Sequence, residues 1–127
     1  MVIKTNKEKR TVVAIIPNVR KQMLTTLRKI NPILVYMDEV RNIVDALPSA
    51  VTKRARCSPT DIWNEDIGID IARARAIHAH AQLRVKTLIK VITMIDNRIF
   101  HGLSLKYHHA MATVEDYEDL LDGMLEQ

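Results

Sequence analysis

The sequence predicts an α+β fold: short N-terminal strands with helices, followed by one long heptad-patterned helix and a C-terminal acidic helix. Three observations predict it. Residues 11–16 and 51–57 are short runs that favour extended chain, closed by Pro17 and by Ser58-Pro59. Apolar or small residues then recur with alternating spacings of four and three at Ile67, Ile71, Ala74, His78, Ala81, Val85, Leu88, Ile92, Ile95 and Ile99. Finally, every Lys and Arg lies at or before Lys106, whereas the charged residues of 107–127 are all acids.

In chain order, a polar and basic start carrying Lys4, Lys7, Lys9 and Arg10 leads into the strand at 11–16, whose apolar faces call for burial. Asn18 is placed to cap a helix in which Val19, Met23, Leu24, Leu27 and Ile30 share one face and Arg20, Lys21, Arg28 and Lys29 the other. Asn31-Pro32 ends it. Residues 33–37 read as a strand before a helix with Val40, Ile43, Val44 and Leu47 on its inner face, stopped by Pro48. The strand at 51–57 alternates so that Thr52, Arg54 and Arg56 form one face.

The turn at 58–63 leads to Asn64, a cap with Glu65 and Asp66 in the first turn, where the helix dipole favours acids. Trp63 and Ile67 are spaced as a hydrophobic staple across that cap. Gly102 is the expected stop of the long helix, and Thr113 with Asp116 resembles a capping box opening a separate last helix with Val114, Tyr117, Leu121 and Met124 on its apolar face. A mean period of 3.5 keeps the seam of the long helix turned toward another helix. It predicts a homo-oligomer through residues 64–101 with close backbone approach near 74–81, the alternative being a hairpin against the last helix.

Composition bounds the rest. Hydrophobic residues make up 47% of the 127, enough for the modest core of a single domain over 1–127, while 4% aromatic residues argue against an aromatic-lined pocket. No apolar run reaches membrane-spanning length, the basic N-terminus lacks a secretory signal, and the single cysteine, Cys57, precludes an intrachain disulfide, which together predict a cytoplasmic protein. Residues 1–106 carry nineteen cations against nine acids, a net +10, and residues 107–127 carry −6. A basic body of this kind suits an anionic partner, a nucleotide or a nucleic acid, or is answered by the acidic tail of a neighbouring subunit.

From Arg56 to Ala76 the chain reads as a strand ending at Cys57, a turn with Pro59 and Asp61, and a helix start with Glu65, Gly68, Ala72, Arg75 and Ala76. This unit resembles small phage and prophage proteins. Within that group, size, architecture and charge resemble the family that inhibits Thoeris immunity by sequestering its cyclic nucleotide signal. The resemblance implies an oligomeric, non-enzymatic α+β sponge acting in the host cell cytoplasm, with Trp63 and Phe100 the candidates for base stacking.

Catalytic patterns are weak. Cys57 has no evident His partner, His78 and His80 point to different sides of a helix, and His108-His109 forms no ligand pair. Asp66 and Asp70 share a helical face, an arrangement ordinary for a first turn, and Gly68, Gly102 and Gly123 are too far apart for a phosphate loop. The expectation is a non-enzyme without metal or cofactor. Arginine's planar fork suits phosphate, so the candidate ligand-binding residues are Arg54, Arg56, Arg73, Arg75, Arg28, Asn97 and Arg98. Three roles follow: sequestration of a small anionic nucleotide, DNA or RNA binding by the basic surface, or docking of the acidic helix on a host protein as a DNA mimic.

Overall fold

A computed structural model describes residues 1–125. The chain is α+β. It runs β1 (Val2–Asn6), β2 (Thr11–Ile16), α1 (Val19–Ile30), a 3₁₀ turn (Pro32–Tyr36), α2 (Asp38–Asp45), β3 (Val51–Arg56) and α3 (Glu65–Leu125). Contacts divide it into two units, Met1–Val91 and Ile92–Gln127.

In the first unit the strands form an antiparallel sheet in the order β1-β2-β3. Register places Val13 between Lys4 and Arg54, and Val12 between Thr5 and Ala55. Successive residues point to opposite faces of a strand, so Val12, Ala14, Ile16, Val51 and Ala55 line one face and are buried. They share the core of this unit with Val19, Met23 and Leu27 of α1, Val35 of the 3₁₀ turn, Val40 and Val44 of α2, and Ala72, Ala76 and Val91 of α3. Each larger member contributes about 1.5–3 kcal/mol by leaving water.

β1 lies in the basic start that the sequence reading left without a strand. Its hairpin to β2 is closed by the Asn6 side chain, which accepts from Lys9 N–H at 3.0 Å, and by Arg10 N–H donating to the Lys7 carbonyl at 3.2 Å. Where a strand is expected over 33–37, the chain forms the 3₁₀ turn Pro32–Tyr36: Pro32 fixes the first helical position, and the Asn31 side chain accepts from Ile33 N–H at 3.0 Å. Asn18 does not cap α1 with its side chain. It sits at φ 58°, a left-handed conformation Asn tolerates, which turns the chain sharply so that Val19 N–H reaches the Ser49 carbonyl at 3.1 Å.

Asn64 caps α3 as expected, its side chain accepting from Ile67 N–H at 3.2 Å. The small residues of α3 work within the chain. Gly68, Ala72 and Ala76 recur every four residues and form the stripe turned to the core, with Ala72 and Ala76 fully buried. Within the chain, Gly68 is the residue of this stripe that lies closest against the sheet, on Val12. The heptad positions Ile67, Ile71, Ala74, His78, Ala81 and Val85 lie beside this stripe and are exposed; Leu88 is half-buried.

The second unit is a single helical element. Gly102 does not stop it, and no glycine takes a positive φ. A helical glycine costs only about 1 kcal/mol, which the flanking helix formers absorb. Thr113 opens no new helix, because its hydroxyl donates to the His109 carbonyl one turn back at 3.2 Å. With 102–113 helical there is no turn for the hairpin alternative. Among the described residues, no helix is long and apolar enough to cross a membrane.

Candidate functional site

The uncovered face of the sheet concentrates positive charge. Its rows are Val2, Ile15 and Thr52; then Lys4, Val13 and Arg54; then Asn6, Thr11 and Arg56. Lys9 joins them from the hairpin, so Lys4, Lys9, Arg54 and Arg56 ring a shallow, open depression floored by Thr11 and Val13. None of the three strands contains an Asp or Glu. Arg54 and Arg56 stand about 7 Å apart along β3, and Lys4 about 10 Å across the sheet from Arg54. Four cations on a rigid face with no acid among them repel one another, and a bound polyanion relieves that repulsion.

Beside this face, Arg10 fixes the loop between β3 and α3. Its guanidinium Nη2 donates to Cys57 Sγ at 3.3 Å, to the Ser58 carbonyl at 3.1 Å and to the Asp61 carbonyl, while Cys57 N–H donates to the Arg10 carbonyl at 2.9 Å. Arg10 itself is left-handed at φ 55°. Cys57 is half-buried, its thiol directed to the Ser58 and Ile62 carbonyls at 3.6 and 3.8 Å. A cleft of about 250 Å³ opens next to this loop, lined by Cys57, Ile62, Trp63, Ile67 and Ile71 among others. Trp63 and Ile67 both line this cleft, and Ile67 is 56% exposed. The cleft is mostly apolar, with one charge of each sign in its wall, Arg56 and Asp61, and with Glu65 and Asp66 in the adjoining turn.

The candidates from sequence separate. Arg54 and Arg56 share the basic face. Arg75 approaches β3 from the helix: its Nη1 donates to the Arg54 carbonyl at 2.9 Å, so it ties α3 to the strand. Arg73 is exposed on α3 outside the basin, and Arg28 is exposed in the last turn of α1, where the dipole favours a cation. Asn97 and Arg98 belong to the second unit, as does Phe100, which is exposed.

Lys4 and Lys9 were missed because β1 was. The available signal was the run Asn6 to Arg10, a polar turn sequence between two stretches containing β-branched residues. Among the described residues, no group of three His, Cys, Asp or Glu side chains is placed to hold a metal ion. No protein-family model, curated protein or solved structure matches this chain, so the basic sheet face, the Arg10 loop clamp and the exposed seam of α3 are the observations that bear on its role.

Proposed function

We propose that this protein is a non-enzymatic binder of nucleic acid, and that it holds the phosphate backbone of DNA or RNA against the solvent face of its three-stranded sheet. The observation that carries this reading is the placing of Lys4, Arg54 and Arg56, on strands that carry no acid, and of Lys9 from the hairpin, around one open depression. A flat, open face meets a long ligand over several phosphates, whereas small-molecule sites enclose most of their ligand.

A second reading, sequestration of a small anionic nucleotide by a phage-type anti-defence protein in a host cytoplasm, draws on the neighbouring guanidinium groups of Arg54 and Arg56. Their spacing suits a pair of linked phosphates. It requires a wall that one chain does not supply, and self-association through the exposed seam within 64–101 is the source of a second chain.

Salt separates the two. Four phosphate contacts on a duplex give a loss of about a hundredfold in affinity between 50 and 200 mM salt, whereas a small nucleotide, with no condensed counterions to release, should show a much shallower dependence. Titration of labelled oligonucleotides and of a panel of linear and cyclic nucleotides at both salt levels measures this. Absence of micromolar binding to any of them overturns both readings.

A further inference from the structure

We propose that the second unit is a self-association element, in which two copies of this chain pair antiparallel through residues 100–124 of α3. This inference is independent of the ligand assigned to the sheet face.

Beyond Ile99 the four-and-three spacing resumes in a new phase at Leu103, Tyr107, Ala110, Val114, Tyr117 and Leu121, with Met124 the next position. These side chains form one stripe on a helix, and it is open: Leu103 is 65% exposed, Tyr117 65% and Leu121 56%. Among the described residues, the unit has no second element of its own to cover them. A helix supported only by its own hydrogen bonds is marginal in water, so an apolar stripe of this length calls for a packing partner.

Charge selects the partner and its direction. The end of the unit carries Glu115, Asp116, Glu118, Asp119 and Asp122 with no Lys or Arg, whereas 97–109 carries Arg98, Lys106 and three histidines with no acid. Parallel copies would set five carboxylates against five. Antiparallel copies set them against the basic stretch.

The seam is also self-complementary in that direction. When Ala110 of one copy lies level with Val114 of the other, Tyr107 falls level with Tyr117, Leu103 with Leu121 and Phe100 with Met124, so every layer is apolar on both sides. Sliding by one heptad toward the N-terminal side sets Leu121 against Asp96. The contact is two-fold symmetric and closes on itself.

The test uses the full chain with Cys57→Ser, which frees the thiol chemistry for new positions. Sedimentation at micromolar concentration should show a dimer. Under mild oxidation, a mixture of the Leu103→Cys and Leu121→Cys chains should give a disulfide-linked heterodimer, and Leu103→Cys alone should stay unlinked. A Leu103→Cys chain that links to itself overturns the proposal, since a parallel pair, or an antiparallel pair centred on 103, is what brings that position to its own copy. A wild-type monomer overturns it, as does a dimer that yields neither link, because its contact then lies elsewhere on the chain. Circular dichroism of each variant checks that the helix is intact.

Discussion

Gly68 lies against Val12: a Cβ built on Gly68 would stand 2.8 Å from Val12 Cγ2, inside any normal contact. Val12 is fully buried at the centre of the sheet and stiff at χ1, so it cannot yield cheaply. An exposed helical Gly→Ala change gains about 1 kcal/mol, and here the sign reverses. Gly68→Ala is expected to destabilise the first unit by about 1–2 kcal/mol in urea unfolding through overpacking. Because the clash is with one methyl group, the cost of Gly68→Ala should shrink in a Val12→Ala background. Equal costs in the two backgrounds would show that another neighbour sets the glycine.

Arg10 combines a strained backbone with a useful side chain. The left-handed conformation costs a non-glycine residue about 1–2 kcal/mol. The guanidinium offsets this by holding the 57–61 loop through Cys57, Ser58 and Asp61. Arg10→Ala keeps the strain and loses the clamp, so it should be the more harmful change. Arg10→Gly loses the clamp and relieves the strain, and should be about 1 kcal/mol milder. Both should speed reaction of the half-buried Cys57 thiol with a soluble thiol reagent. An unchanged reaction rate would mean that Arg10 does not hold the loop.

The sheet face makes a graded prediction for binding. Arg54→Ala, Arg56→Ala, Lys4→Ala and Lys9→Ala should each weaken oligonucleotide binding and reduce the slope of log affinity against log salt by about one. Arg75→Ala should leave the slope nearly unchanged, because Arg75 reaches β3 from α3 and is not among the residues around the basin. Arg28→Ala should be neutral. If the small-nucleotide reading holds instead, Arg54→Ala and Arg56→Ala should abolish binding of that ligand while Lys4→Ala has a small effect.

Periodicity made much of this fold legible, and where it failed the reasons are local. The strands at 11–16 and 51–56, α1, the inner face of α2 and the Asn64 cap follow from spacing and cap chemistry. Residues 33–37 were misread because a short apolar run carries no period, and Pro32 together with Asn31 decided it. Gly102 and Thr113 looked like boundaries because both residue types punctuate helices, yet neither signal is decisive inside a long run of helix formers. The long helix carries two neighbouring stripes. The heptad count found the one left exposed at Ile67, Ile71 and Val85, while the one used within the chain, through Gly68, Ala72 and Ala76, has a spacing of four. Arg54 and Arg56 were legible as one face of an alternating strand. Lys4 and Lys9 were not, because only pairing with β2 brings them there.

His80 gives the pH dependence a predictable sign. It lines a small cleft between α3 and α1 with Val19, Gln22, Met23, Thr26, Leu47 and Leu83, and Arg84 stands one turn further along the helix. Burial, and then the positive charge of Arg84, lower its pKa from the ordinary value of 6.5. The folded chain therefore binds fewer protons at this site than the unfolded chain between the lowered value and 6.5. Stability from this group is fully present above 6.5 and is lost as pH falls through the folded-state pKa. Urea midpoints at pH 7.5 and pH 5 should show the wild type weakening with acid, and His80→Gln, which has no proton to gain, should weaken less over the same interval. Arg84→Gln should move the His80 pKa back toward its ordinary value and reduce the acid sensitivity in part, since burial remains. Identical pH slopes for the wild type and His80→Gln would show that other groups govern the acid response.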